Sequence, residues 1–197
     1  AYGPPDLMPG HIILLNGASS AGKSTLAQAL QQRLPLPFWH WSIDHLRAAR
    51  VLPQARIDAG EFRWGGLRET FFDGFHRSIP ALAAAGNHLI VEHIVETRAW
   101  MDRLLGLLAE FDVYYVGVHC ALDELERRER ARGDRRIGEA RADFEVTHTF
   151  GHYDVECDSA AGVETMAEQV IAAWSTRQPP GAFEAMRAAR AGDAPAA

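Results

Sequence analysis

The sequence has little cysteine, no long apolar run and no excess of basic charge. Its two cysteines, Cys120 and Cys157, are too few for a disulfide framework, and each follows an apolar run where a thiol usually behaves as a small buried hydrophobe. No segment approaches the roughly 18 consecutive apolar residues that a membrane-spanning helix needs, and the N-terminal residues lack the features of a secretory signal. We therefore expect a cytoplasmic protein that does not enter a membrane.

The charge balance argues against nucleic acid and anionic membranes as partners. The 197 residues carry a net charge of −6, and the isoelectric point is near 5.8, which argues against a general affinity for nucleic acid or for anionic membrane surfaces. The sequence leaves the formation of a homo-oligomer open.

The length and composition favour one domain with a short tail. An apolar content of 47% supplies one substantial core, and the chain is too short for two ordinary catalytic domains. We expect a single domain over residues 1–178. The tail over residues 179–197 opens with Pro-Pro-Gly and ends in small residues, so we expect it to be a loosely ordered helix without a catalytic role.

Short apolar runs alternate with segments of helical composition. The predicted strands are 11–16, 38–43, 88–95, 113–120 and 153–157. The predicted helices are 23–34, 62–85, 98–110, 122–132 and 163–176. Because the strands are apolar on both faces, the pattern predicts a three-layer α/β fold in which helices cover both faces of a five-stranded parallel sheet.

The stretch GASSAGKST follows the first strand and opens the first helix. It fits the phosphate-loop pattern G-x-x-x-x-G-K-[ST], in which backbone N–H groups and the helix N-terminus hold nucleotide phosphates. Lys23 is expected to reach the outer phosphates and the Ser24 hydroxyl to bind Mg²⁺, so the expected cofactors are ATP and Mg²⁺. The expected nucleotide-binding residues are Gly17, Ala18, Ser19, Ser20, Ala21, Gly22, Lys23, Ser24 and Thr25.

Acidic residues follow the second and third predicted strands. Asp44 would lie beside the phosphate loop, where its carboxylate could accept the proton of an attacking hydroxyl; the alternative is that it only caps the short helix after it. Glu92 resembles the acidic residue that orders magnesium-bound water or holds an acceptor hydroxyl. His93 is interpreted as a hydrogen-bonded core histidine.

Six arginines crowd the segment from Arg127 to Arg136. A helix break at Gly133-Asp134 would let an arginine-rich lid over about 132–139 fold across the nucleotide and exclude water. Arg132, Arg135 and Arg136 are the lid candidates for the transferring phosphate. The arginines earlier in the segment, Arg127, Arg128 and Arg130, are expected to lie on a solvated helix face with partners four residues away.

Aromatic and basic residues between the second and third strands indicate an acceptor pocket. Trp39, Trp41, Phe62, Trp64, Phe71 and Phe72 are expected to lie mostly in the core, with a subset near Asp44 for a partly apolar acceptor. Five arginines keep a second possibility open, an acceptor that carries its own phosphate. They are Arg47, Arg50, Arg56, Arg63 and Arg68.

With these motifs in place, the chain resembles the chloramphenicol phosphotransferase family of bacterial antibiotic kinases over residues 11–175. The resemblance is carried by IILLNGASSAGKST, FWHWSIDHL, HLIVEHI, FDVYYVGVHC, ERRERARGDRR and HTFGHYDVECDS. It implies an ATP-dependent kinase with a nucleoside-kinase-like P-loop NTPase fold. The family's catalytic base maps to Asp44, its loop lysine and serine to Lys23 and Ser24, and its lid arginines to Arg132 and Arg135. Residues 153–158 map to the loop that borders the adenine.

The main hypothesis is an ATP-dependent O-phosphotransferase acting on a hydroxyl of a small molecule, an antibiotic or a secondary metabolite, with a role in antibiotic resistance. The third strand ends in Glu92-His93 where the family tends to have paired aspartates, and the region 51–75 matches the family little, so the acceptor stays open. The alternatives are a metabolite, nucleotide or toxin-like sugar-nucleotide kinase, and a non-catalytic ATP-binding regulator.

Overall fold

A computed structural model of the chain describes residues 8–132 and 137–192. Five strands form one parallel sheet in the order β2-β3-β1-β4-β5, as the alternating apolar runs predicted. The strands are β1 (Ile12–Asn16), β2 (Phe38–Ser42), β3 (His88–His93), β4 (Val113–His119) and β5 (Val155–Asp158). The helices are α1 (Lys23–Arg33), α2 (Ile43–Ala48), α3 (Gln54–Asp58), α4 (Trp64–Ala84), α5 (Arg98–Leu107), α6 (Leu122–Arg132), α7 (Glu139–Val146), α8 (Val163–Ser175) and α9 (Ala182–Gly192).

The central strand β1 sends successive apolar side chains to opposite faces of the sheet. Ile13 and Leu15 pack with α1 and α8 on one face, while Ile12 and Leu14 pack with α4, α5 and α9 on the other. Both faces of the strand are fully buried, which is why its sequence is apolar without alternation. The predicted three layers are therefore present.

Two helices were not predicted, and the C-terminal helix packs more closely than expected. α3 and α7 are short, with no buried residue in α3 and only Ala140 in α7, so neither shows a strong apolar period. In the tail, Phe183 and Met186 of α9 are buried against the face that carries α5. Within the described residues, no helix has the length and apolar character to cross a membrane.

The buried amide of Asn16, at the end of β1, joins three later parts of the chain. Its Nδ2 donates to the Thr147 carbonyl oxygen at 2.9 Å and to Tyr153 Oη at 2.8 Å, and its Oδ1 accepts from the Val95 N–H at 2.9 Å. Tyr153 Oη is also hydrogen-bonded to His148 Nδ1 at 2.6 Å. Asn16 therefore holds the ends of β3 and α7 and the start of β5 beside the loop that follows β1.

We expect Asn16→Ala to lower the free energy of unfolding by about 3 kcal/mol, because it leaves a buried N–H and a buried carbonyl without partners. The matched control is Asn87→Ala, which removes one local hydrogen bond to the Leu82 carbonyl at a half-buried site and should cost about 1 kcal/mol or less. Urea unfolding of both variants measures the difference. Equal losses would contradict the role given to Asn16.

Candidate active site

A cavity of about 1050 Å³ opens where the parallel strands end. In sheets of this kind, ligands bind at the carboxyl edge of the strands. Ser19, Ser20, Lys23 and Ser24 line one end of the cavity, and residues of β2, α2 and α4 line the other. Its volume is at the upper end of the range for small-molecule sites, so a nucleotide and a small acceptor can share it.

The phosphate loop has the backbone shape that anion binding requires. Ser20 and Gly22 adopt the left-handed conformation, with φ of 67° and 98°, which turns N–H groups toward one concavity. Gly17 permits a close approach to β4, because a Cβ on it would lie 2.5 Å from the Val118 carbonyl oxygen. The hydroxyl of Ser20 is buried and has no hydrogen-bond partner among the described residues, so it is available to a ligand.

Lys23 is held inside this loop. Its side chain is nearly buried, and Nζ donates to the carbonyl oxygens of Gly17 at 2.7 Å and Ala18 at 2.9 Å. The loop thus holds the ammonium group at the wall of the cavity. The sequence predicts that this group reaches the outer phosphates of a nucleotide.

Glu92 lies next to Ser24, as a shared metal site would need. Its Oε2 accepts a hydrogen bond from Ser24 Oγ at 2.9 Å, and its Oε1 contacts His40 Nε2. Burial raises the pKa of Glu92, but the His40 hydrogen bond, the charge of Lys23 and the Ser24 hydrogen bond outweigh it, so the pKa lies below its usual value. The carboxyl group is therefore ionised at neutral pH.

The side-chain oxygens of Ser24 and Glu92 suit Mg²⁺ better than a metal ion whose ligands all come from the protein. Ser24 and Glu92 present two adjacent oxygens, and the described residues contain no group of three or more histidine, cysteine or acidic side chains that could hold a metal. Mg²⁺ usually takes one or two protein oxygens and completes its shell with phosphate and water. Ser24 and Glu92 would hold it, as the sequence predicted for both residues.

Asp44 lies on the cavity wall but does not cap the helix that contains it. β2 ends at Ser42, and the Ser42 hydroxyl accepts from the His45 N–H, so Ser42 is the N-cap of α2. Asp44 is the second residue of α2, its side chain is about half exposed, and its carboxylate lies 3.6 Å from the Arg47 guanidinium. The interpretation of Asp44 as a cap alone is therefore wrong.

The part of the cavity lined by α2 and α4 combines arginines with aromatic rings. The Arg47 guanidinium lies 5.7 Å from the Trp64 ring, and that of Arg68 lies 4.9 Å from Phe72. Arg68 also pairs with Glu96. Of the aromatic residues named from the sequence, Trp64 and Phe72 line the cavity. Among the five arginines, only Arg47 and Arg68 do so.

The arginine-rich helix meets the phosphate loop earlier than expected. Arg128 donates from Nη1 to the Ser20 carbonyl oxygen at 3.3 Å and pairs with Glu124, so it belongs to the cavity and not to a solvated face. Arg127 is largely exposed, also pairs with Glu124 and lies at the cavity edge. Of the lid candidates, Arg132 ends α6, and Arg135 and Arg136 lie outside the described residues.

His93 is the buried histidine that the sequence indicated, and it has a second histidine as its partner. Its Nε2 lies 2.8 Å from Nε2 of His76, and its ring stacks on Trp100. Burial lowers the pKa of His76 to about 4 and that of His93 well below its usual value. The pair is therefore uncharged at neutral pH and forms an aromatic wall between α4 and β3.

Three contacts at the site were not found from the sequence. His40 reaches Glu92 from β2, Arg128 reaches the loop from α6, and Asp143 of α7 accepts a hydrogen bond from the Ser19 N–H at 3.0 Å. Tyr153, the first residue of the segment that the resemblance maps to the adenine loop, is hydrogen-bonded to Asn16 and His148 and does not line the cavity. The turn that follows β5 does border the cavity through Ser159.

Comparisons with known proteins agree with this arrangement. The model of the chloramphenicol phosphotransferase-like proteins matches residues 10–175. A curated protein of Mycobacterium tuberculosis strain H37Rv, described as a candidate O-phosphotransferase, is 31% identical over 198 residues, which cover 90% of this chain and 88% of the relative.

Solved structures of other proteins, two of them described as kinases, share the fold. The APS kinase of M. tuberculosis, in complex with AMPPNP and APS, has a TM-score of 0.65 at 18% identity over 85% of this chain and 99% of its own. The tunicamycin resistance protein of Deinococcus radiodurans has a TM-score of 0.55 at 21% identity, over 87% and 100%. A gluconokinase of Sinorhizobium meliloti 1021 has a TM-score of 0.54 at 15% identity, over 95% and 99%.

These likenesses confirm the predicted P-loop kinase fold with its five-stranded parallel sheet. The family match covers most of the described chain and includes the phosphate loop, Asp44 and Glu92. The chain therefore belongs to the chloramphenicol phosphotransferase-like family.

Proposed function

We propose that this protein is an ATP-dependent O-phosphotransferase that transfers the γ-phosphate to a hydroxyl of a small molecule, an antibiotic or a secondary metabolite. The observation that carries the proposal is that one cavity joins the phosphate loop to Asp44 and to a wall of Trp64 and Phe72. Membership of a phosphotransferase family and the kinase fold support phosphoryl transfer as the reaction class.

The donor end of the cavity suits a magnesium nucleotide. Lys23 and the loop N–H groups would hold the outer phosphates, and Ser24 and Glu92 would hold Mg²⁺, which neutralises phosphate charge when it is bound. The AMPPNP in the structure of the related APS kinase supports ATP as the donor. Arg128 at the loop, with Arg132, Arg135 and Arg136 of the proposed lid, would add positive charge over the transferred group.

Asp44 is the proposed catalytic base. It lies on the cavity wall close to Arg47 and to the apolar residues that would hold the acceptor. As the acceptor oxygen forms its bond to the γ-phosphorus, the hydroxyl proton passes to the Asp44 carboxylate and the bond to the β-phosphate oxygen breaks, which releases ADP. The wall formed by Trp64 and Phe72, together with the proposed lid, would keep water from competing with the acceptor.

The remaining partner and location proposals follow the sequence. We propose a cytoplasmic protein whose partner is a small-molecule acceptor and which binds neither nucleic acid nor a membrane; self-association stays open. The two cysteines support a reducing compartment, since both are buried and unpaired.

A second candidate acceptor carries an anionic group, as in a nucleotide or a sugar nucleotide. The observation that favours it is the placement of Arg47 and Arg68 in the acceptor end, each over an aromatic ring. A guanidinium presents a planar fork of N–H groups that matches phosphate or carboxylate oxygens. Arg68 would exchange part of its contact with Glu96 for the acceptor.

For the main proposal, we expect Asp44→Asn to lower kcat for phosphotransfer by about a hundredfold or more while AMPPNP affinity stays unchanged, because the variant loses only the proton acceptor. ADP release, measured against a panel of hydroxylated antibiotics and metabolites, identifies the acceptor and gives the rate. Asp58→Asn is the matched control, since Asp58 is exposed on α3 and does not line the cavity. Full activity in Asp44→Asn would rule out Asp44 as the base.

The same assay separates an enzyme from a regulator that only binds ATP. A kinase releases ADP faster when its acceptor is present, whereas a regulator turns over slowly with every compound and changes its complexes when ATP is added. Light scattering with and without AMPPNP measures the second behaviour.

If the acceptor is anionic, we expect Arg68→Gln to raise its KM by about tenfold to a hundredfold with a smaller change in kcat, because a charge-assisted contact is lost. The KM of a neutral acceptor such as chloramphenicol should not change. Arg77→Gln is the control, since Arg77 lies on the same helix, is exposed and pairs with Asp73 outside the cavity. The second candidate is wrong if no anionic compound stimulates ADP release.

A further inference from the structure

A carboxylate already occupies one of the N–H groups of the phosphate loop. Asp143, on the cavity-facing side of α7, accepts a hydrogen bond from the Ser19 N–H through Oδ2 at 3.0 Å. Ser19 lies between Gly17 and Gly22 of the loop, whose backbone N–H groups cradle nucleotide phosphates in this motif. A phosphate bound there would meet a second negative charge.

The position of Asp143 is fixed by its helix, because both ends of α7 are held by hydrogen bonds that do not involve Asp143. At the first end, the buried Glu129 of α6 accepts hydrogen bonds from the Gly138 and Ala140 N–H groups, both at 2.8 Å. At the last end, the Thr147 carbonyl oxygen accepts from the Asn16 amide. The packing of the helix therefore sets the position of the carboxylate.

The charged groups around Asp143 come from three described parts of the chain. Lys23 of α1 lowers its pKa, while Glu96 after β3 and Glu139 of α7 raise it. Burial is the largest influence and raises the pKa; it outweighs the hydrogen bond from the Ser19 N–H, which lowers the pKa, so in sum the pKa of Asp143 lies above that of an ordinary aspartate. The carboxyl group therefore takes up a proton at a higher pH than an exposed aspartate does.

We propose that the Asp143 carboxylate competes with the outer phosphate of the nucleotide for the Ser19 N–H group, and that it weakens nucleotide binding as long as it is ionised. The proposal rests on the ATP-binding function proposed above. It makes Asp143 a determinant of donor affinity on α7, a helix that the phosphate-loop motif does not include.

The sign of the pH dependence follows from charge. An incoming phosphate stabilises the protonated form of Asp143 further, so nucleotide binding is accompanied by uptake of up to one proton from solvent. As the pH rises through the pKa of Asp143, more of the carboxyl is ionised and the affinity falls, until it levels off where the carboxylate is fully charged.

The experiment is calorimetric titration of AMPPNP with Mg²⁺ into the wild-type protein, Asp143→Asn and Glu145→Gln, from about pH 8 to about pH 5. Asp143→Asn keeps the shape of the side chain and removes its charge, so we expect about tenfold tighter binding at the highest pH. Glu145→Gln makes the same charge change at an exposed position of the same helix and should bind like the wild type.

A second measurement follows the pH dependence and the proton uptake of the wild-type protein. For the wild-type protein, AMPPNP affinity should rise as the pH falls and approach that of Asp143→Asn, and titrations in two buffers of different ionisation enthalpy should show proton uptake that the variant lacks. Equal affinity and equal proton uptake in the wild type and Asp143→Asn would overturn the proposal alone. Absence of AMPPNP binding by both would overturn the proposed function as well.

Discussion

The hydrogen bonds of the Asn16 side chain are the constraint on which the site depends. The amide lies at the end of the central strand, one residue before the phosphate loop, and it is fully buried. Through Val95, Thr147 and Tyr153 it sets the distance between that loop and the segments after β3, α7 and β4. A buried amide with all its partners in place specifies one arrangement, since any shift would leave polar groups unpaired.

Charge differs between the part of the cavity at the phosphate loop, the proposed donor end, and the part lined by α2 and α4, the proposed acceptor end. Lys23 and the phosphate-loop N–H groups make the donor end positive, with Glu92 beside them for a cation. At the acceptor end, each arginine has a carboxylate partner, Arg47 with Asp44 and Arg68 with Glu96. An acceptor that binds there enters an environment without a large net charge, whereas the donor end favours anions strongly.

The sequence predicts the sheet and the phosphate loop, because these depend on local patterns. Strands that are buried on both faces show as short apolar runs, and the loop glycines and lysine occupy set spacings. It does not predict contacts between distant segments. Arg128 has a local partner in Glu124, which suggested a solvated face, yet it also reaches Ser20 across 108 residues of chain.

The sequence does not predict Asp143 as a residue of the site, for a related reason. Its helix, α7, is short, buries little apolar surface and begins where the Glu129 carboxylate of another helix accepts its first N–H groups. No periodic signal marks such a helix, since its stability comes from tertiary contacts. His40 likewise has the pattern of an ordinary strand residue, and its contact with Glu92 of β3 exists only because the two strands pair, with Glu92 two residues along the register from the residue opposite His40.

The folded core extends beyond the residues that match the family model, because α9 packs onto it. The family match stops at residue 175, but Phe183 packs edge-on against Tyr115 of β4 at 5.1 Å, and the Ala182 N–H donates to the Asp154 carboxylate that also accepts from the Tyr115 N–H. Residues beyond the family match therefore complete the packing around Tyr115 and add to the stability of the folded core.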